Sequence, residues 1–181
     1  MKVTETKLKG CFILEPIIYE DSRGYFFESF NQNRFCEAIG RAVNFVQDNQ
    51  SFSKRGVIRA LHYQVGDHAQ AKLVRVLKGK VLDVAVDLRE GSETFGQHVT
   101  LELSCENRKQ LFIPKGFAHG FAVLSDSAEF YYKCDDYYNA GAEAGIFFND
   151  PDLGIEWGIP HHQILLSERD RQLPRFKDLW M

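Results

Sequence analysis

Apolar and polar residues alternate along the chain in short runs, and the runs are separated by Gly, Asn and Asp. V-T-E-T-K-L alternates at the start, followed by F-I-L-E from Phe12, Y-F-F-E-S-F from Tyr25 and V-I-R-A-L-H-Y from Val57. A continuous pattern from Leu73, L-V-R-V-L-K-G-K-V-L-D-V-A-V-D-L, is divided by Lys78-Gly79 and reads as a β-hairpin. H-V-T-L-E-L from His98, Q-L-F-I from Gln110, G-F-A-V-L from Gly120 and E-F-Y-Y-K from Glu129 follow at similar spacing. Period-two runs of this length between turn residues predict an all-β sandwich or barrel. Helical signals are few. Asn31 is placed to cap a short helix that ends near Gly40, and Ser167 is placed to cap another, with Asp170 in a capping-box position. After about Gly141 the strand period fades. A single domain is therefore expected over 1–181, with a barrel core at about 45–140 and a wrap on its outside at about 141–181.

Composition narrows the function class. The chain has 181 residues, 44% hydrophobic and 26% charged, as in an ordinary folded domain. Its formal net charge of −3 argues against broad nucleic-acid or membrane binding, although local arginines can still hold a phosphate. The opening M-K-V-T-E-T-K has no signal-peptide pattern, and no run approaches the roughly 20 apolar residues of a membrane span. Cys11, Cys36, Cys105 and Cys134 form no CxxC pair and read as reduced structural cysteines of a cytoplasmic protein. GxGxxG after a strand and GxxxxGK[ST] are both missing, which disfavours dinucleotide binding and Walker-type ATP hydrolysis.

Two histidines carry the candidate chemistry. His62 ends the run G-V-I-R-A-L-H from Gly56, and His119 ends P-K-G-F-A-H from Pro114. A glycine followed at this spacing by His, and later Pro-x-Gly-x-x-His, resembles the two motifs of the cupins, whose fold is a double-stranded β-helix, or jelly roll. Metal-binding cupins continue the first motif as His-x-His and then Glu. Here Gln64 takes the second His position and Lys72 stands near the Glu position. A protonated lysine is no metal ligand, so no metal and no cofactor are expected. His62 is alternatively a satisfied core histidine on a strand. Arg59, His62 and Lys72 would cluster if the flanking strands pair, and such a group inside a small barrel is costly without a ligand. A histidine takes protons near neutral pH, and a lysine in place of a metal can stabilise an oxyanion.

Longer runs carry a more specific resemblance. R-G-V-I-R-A-L-H-Y-Q from Arg55, A-K-L-V-R-V-L-K-G-K-V-L-D-V-A-V-D-L-R from Ala71, F-I-P-K-G-F-A-H-G-F from Phe112 and A-E-F-Y-Y-K-C-D-D-Y-Y from Ala128 resemble the dTDP-4-dehydrorhamnose 3,5-epimerases. N-D-P-D-L-G-I-E-W from Asn149 and L-S-E-R-D from Leu166 extend the match over nearly the whole chain. The resemblance implies a cupin-like jelly roll with an N-terminal strand extension, a homodimer, and a dTDP-sugar substrate, dTDP-4-dehydro-6-deoxy-D-glucose, inverted at C3 and C5. It implies His62 as base, Asp170 as its orienting carboxylate, Lys72 as oxyanion stabiliser and Tyr132 as opposing acid. Tyr131 would then lie on the opposite face of the same strand. It implies substrate contacts from Arg23, Phe26, Glu28, Gln47, Asn49, Arg59, His119, Tyr138, Glu143 and Arg169. Ala60, Ala71 and Arg169 replace the Gly, Gly and Lys common in the family. A single-centre 3- or 5-epimerase, a metal-dependent oxygenase and a non-catalytic sugar-binding cupin remain alternatives at this stage.

Overall fold

The computed structural model describes residues 1–180. In chain order the strands are β1 (Lys2–Glu5), β2 (Phe12–Glu15), β3 (Tyr19–Asp21), β4 (Gly24–Phe26), β5 (Gln47–Lys54), β6 (Ile58–Gln64), β7 (Lys72–Lys78), β8 (Lys80–Asp87), β9 (His98–Ser104), β10 (Gln110–Ile113), β11 (Phe117–Val123), β12 (Ser127–Cys134) and β13 (Glu143–Gly145). A six-stranded sheet has the order β1-β2-β10-β7-β12-β5 and faces a five-stranded sheet with the order β13-β6-β11-β8-β9. All pairings between these strands are antiparallel. The β3–β4 hairpin stands apart from both sheets. The cupin-like jelly roll is the fold of this chain.

The run around Lys78-Gly79 is not a hairpin. β7 pairs with β10 and β12 in one sheet, and β8 pairs with β9 and β11 in the other. The chain crosses between sheets at Gly79, whose φ is 77° and where an added Cβ would lie 2.0 Å from the Ser127 carbonyl oxygen. Both strands carry apolar residues at consecutive positions because each has an inner and a largely covered outer face. Their inner side chains, Val74 and Val76 against Val81 and Ala85, meet in the core between the sheets. Arg59 and His62 on β6 therefore approach Lys72 on β7 across the sandwich, from opposite sheets, and not through neighbouring strands.

Both expected helix caps form. In α1 (Gln32–Ile39) the Asn31 side chain accepts from the Arg34 N–H, and Gly40 closes the helix in the left-handed region. Phe35 and Ile39 from α1 cover the six-stranded sheet with Leu14, Leu73 and Phe112. In α2 (Glu168–Arg171) the Ser167 hydroxyl accepts from the Asp170 N–H. Ile146, Phe148, Leu153, Ile155 and Trp157 cover the outer face of the five-stranded sheet. No helix among the described residues is long and apolar enough to cross a membrane.

Candidate active site

β5 lines one wall of the cavity between the sheets, and its sequence, Q-D-N-Q-S-F-S-K, lacks the apolar alternation of a strand. Its less exposed positions are Gln47, Asn49, Ser51 and Ser53. The period of two is present, but polar residues occupy the inward positions because they face a cavity and not the core. That cavity has a volume of about 670 Å³ and is lined by polar groups from both sheets, among them His62, His119, Lys72, Tyr132, Arg59 and Asp170.

β6 brings His62 into this space, and α2 brings Asp170 up to it. His62 Nε2 lies 2.7 Å from Asp170 Oδ1. Asp170 is 4% exposed. Its backbone N–H completes the Ser167 cap, while its carboxylate turns to the histidine. One residue thus serves the helix with its main chain and the site with its side chain. With Nε2 committed to the carboxylate, Nδ1 is the nitrogen left for a ligand.

Lys72 and Tyr132 enter from the six-stranded sheet. The Lys72 ammonium lies 5.9 Å from the centre of the Tyr132 ring. Burial pulls the Lys72 pKa below the ordinary lysine value, against the opposing pull of Cys134, Asp83 and Glu143. Burial pushes the Tyr132 phenol up to about 12, so it is a proton donor across the physiological range. On β12, Phe130 and Cys134 are buried on either side of Tyr132 in the alternation. Tyr131 projects to the opposite face, where its hydroxyl donates to Asp48 at 2.8 Å.

At the mouth, Tyr138 and Arg169 both donate to Glu143 Oε2, Arg169 at 2.7 Å. Burial works against the charge on Glu143, but these two donors outweigh it and hold its pKa below the usual glutamate value. Gln47 accepts from the Tyr138 N–H and donates to Asn49, tying β5 to the same rim. Arg59 donates from Nε to Ser53 at 3.0 Å. Gln64, where a metal-binding cupin has its second histidine, spends both ends of its amide on the chain. Its Oε1 accepts from the Asn139 N–H and its Nε2 donates to the His68 carbonyl. No group of three His, Cys, Asp or Glu side chains fit to hold a metal ion exists among the described residues.

Three residues expected near the ligand lie elsewhere in this chain. Arg23 is exposed and pairs with Asp21 in the turn of the β3–β4 hairpin. Phe26 is 70% exposed on the same hairpin. Glu28 accepts from Asn31 and Arg34 beside α1. The structure also holds a residue that the sequence reading did not single out. Asp83 on β8 is completely buried and bonds His119 Nε2 at 2.9 Å. Its signal is present in V-L-D-V-A-V-D-L, where a charge interrupts an apolar face.

Two of the three departures have local explanations. The Ala60 methyl faces Gly120, where any Cβ would come within 2.4 Å of it, so the missing side chain opposite makes the room. Arg169 spends one arm of its guanidinium on Glu143. The structure gives no reason for Ala71 in place of glycine.

A family model for dTDP-4-dehydrorhamnose 3,5-epimerase matches residues 5–178. The dTDP-4-dehydrorhamnose 3,5-epimerase of Shigella flexneri is 52% identical over 178 residues, covering 98% of this chain and 97% of its own. A crystal structure of the enzyme of that name from Elizabethkingia anophelis superposes with a TM-score of 0.96 at 55% identity, over 99% of this chain and 98% of that one. The dTDP-6-deoxy-D-glucose-3,5-epimerase of Legionella pneumophila, solved in complex with dTDP-4-keto-L-rhamnose, superposes with a TM-score of 0.94 at 49% identity, over 98% of this chain and 94% of that one.

Proposed function

Because the chain belongs to the dTDP-4-dehydrorhamnose 3,5-epimerase family, we propose that its cavity performs the double inversion with His62, Lys72, Tyr132 and Asp170 in separate roles. The enzyme is an isomerase that converts dTDP-4-dehydro-6-deoxy-D-glucose to dTDP-4-dehydro-L-rhamnose. The C4 ketone of this substrate acidifies the hydrogens on C3 and C5, so a base and an acid suffice.

His62 Nδ1 removes the proton, and Asp170 holds the ring and balances the imidazolium charge that forms. The Lys72 ammonium stabilises the enolate oxygen, where negative charge develops. Tyr132 delivers a proton to the opposite face of the carbon, which inverts it. The observation that carries this reading is the placement of the two groups. His62 comes from the five-stranded sheet and Tyr132 from the six-stranded sheet, with the cavity between them. Proton removal and proton return from opposite walls is what inversion requires. Gln47, Asn49, Arg59, His119, Tyr138, Glu143 and Arg169 hold the nucleotide sugar around this axis.

The same reading makes the protein a homodimer of one-domain chains. Tyr19, Tyr25 and Phe26 on the β3–β4 hairpin, and Phe52 on the edge strand β5, are all more than half exposed. An uncovered aromatic hairpin and a free sheet edge both favour a partner. Arg23, Phe26 and Glu28 would then complete the cavity of the second copy. Four unpaired cysteines fit a reducing cytoplasm.

The test is proton NMR of the nucleotide sugar after incubation in deuterium oxide. Wild-type enzyme should exchange and invert both carbons. His62→Ala should lose exchange at both, by about 10²–10⁴-fold. A wild-type product inverted at one carbon alone would make this a single-centre epimerase.

A further inference from the structure

The inner face of β8 carries an aspartate between two core side chains. Val81 and Ala85 point between the sheets and join the core, and Asp83 shares their face by strand alternation. Asp83 has no exposed surface. One carboxylate oxygen, Oδ2, bonds His119 Nε2. The other, Oδ1, is buried and meets no hydrogen-bond donor among the described residues. Leaving a buried polar atom unsatisfied costs about 1–3 kcal/mol, and more for a charged group. A valine or leucine at this position would avoid that cost, so something else must offset it.

Two neighbours indicate what does. His119 lies directly opposite His62 in the β11–β6 register, which places the two histidines side by side. Two His–Asp pairs therefore meet the cavity through their histidines, one closed by Asp170 from α2 and the other by Asp83 from β8, behind the cavity wall. Lys72 projects into the same cavity from the facing sheet. Around it lie Cys134 and Tyr132 from β12, Asp83 from β8, Glu143 from β13, His119 from β11, Arg59 and His62 from β6, and Asp170 from α2. Glu143 is already bound by Tyr138 and Arg169, and Asp170 by His62. Burial pushes the Cys134 thiol up to about 11, so it is uncharged at neutral pH. Among these acidic groups, Asp83 alone keeps a buried oxygen without a donor.

We propose that Asp83 is a positioning residue for the epimerisation: Oδ2 fixes the His119 ring by accepting from Nε2, and the negative charge keeps Lys72 an ammonium for the enolate oxygen. The inference rests on the role proposed for Lys72. Burial favours the neutral amine of Lys72. A buried carboxylate opposes it without occupying the ammonium as a direct ion pair would. Lys72 makes no salt bridge within 4 Å among the described residues, so its donors stay available to substrate.

Asp83→Asn tests this, because it keeps the shape and an oxygen acceptor for His119 while removing the charge. The alkaline limb of kcat should move toward neutral pH by about one unit or more, with KM little changed. A merely structural role would alter thermal stability and leave the limb in place, and that result overturns the proposal. Lys72→Met separates the two levels of inference. If it retains wild-type kcat, the reading of Lys72 fails and the Asp83 inference fails with it. If it is inactive while Asp83→Asn keeps the wild-type limb, only the role of Asp83 is overturned. Should Asp83→Asn not fold, wild-type enzyme labelled with ¹⁵N-histidine decides. His119 should carry a proton on Nε2, and a bare Nε2 overturns the proposal.

Discussion

Replacing Asp170 by Asn removes one charge from the site and leaves the fold around it almost untouched. The cap of α2 uses the backbone N–H of residue 170, which donates to Ser167 Oγ at 3.1 Å, so the helix start survives the exchange. The 2.7 Å contact to His62 Nε2 does not survive as it was. A hydrogen bond involving a charged group is worth about 1.5–3 kcal/mol, and each ~1.4 kcal/mol of transition-state stabilisation is tenfold in rate. Loss of the counter-charge to the imidazolium alone thus predicts a fall of about 10–150-fold. A second effect adds to it. If the Asn amide donates to Nε2, the ring proton moves to Nδ1, the atom assigned to take the substrate proton. Mis-set tautomers of this kind cost up to about 10⁴-fold. We expect kcat to drop by about 10²–10⁴-fold, with KM and the thermal midpoint close to wild type. Deuterium wash-in should fall at C3 and C5 together, since the proposed mechanism uses one base for both. A loss under about threefold, or one confined to a single carbon, would refute the reasoning.

In the proposed mechanism Lys72 and Tyr132 both act protonated, and burial moves them in opposite directions, Lys72 below its ordinary 10.5 and Tyr132 up to about 12. As pH rises Lys72 loses its proton first, so kcat should fall on an alkaline limb below pH 10.5; a rate that stays flat past that point contradicts the assignment. Light scattering at micromolar concentration should give twice the 20.8 kDa chain mass, and deleting the β3–β4 hairpin should raise KM far more than it lowers kcat. A monomer with full activity would remove the partner's hairpin from the site.

Much of the barrel was legible in the sequence because its strands bury one apolar face, as β9 and β12 do. Sequence misleads where a strand faces the cavity. β5 escaped recognition because the inward positions that would betray a strand carry Gln47, Asn49, Ser51 and Ser53. The false hairpin at Gly79 has a related cause: continuous apolar runs identify strands buried on both faces but say nothing about which sheet each joins. At the site, His62, Lys72, Tyr132 and Asp170 were named from motifs, and the structure gathers them around one cavity from strands distant in sequence. Arg23, Phe26 and Glu28 were named the same way and lie away from it on and beside the β3–β4 hairpin, because a motif preserves chain order and carries no information on where a hairpin folds. Asp83 was overlooked because an isolated aspartate in a strand resembles a surface position until its neighbours are known to be buried.

The opposition of His62 and Tyr132 across the cavity is tested most directly by Tyr132→Phe. Phe keeps the ring and its packing against Phe130, and removes only the hydroxyl. The base and the oxyanion lysine remain, so the enolate should still form, and solvent deuterium should enter at C3, C5 or both. Without an acid on the far face, the proton returns mainly from the side it left. Exchange and product configuration should be read by NMR in the same sample. The account predicts that the ratio of inversion to exchange collapses while exchange persists; full inversion at the wild-type rate would contradict it and remove Tyr132 from the mechanism.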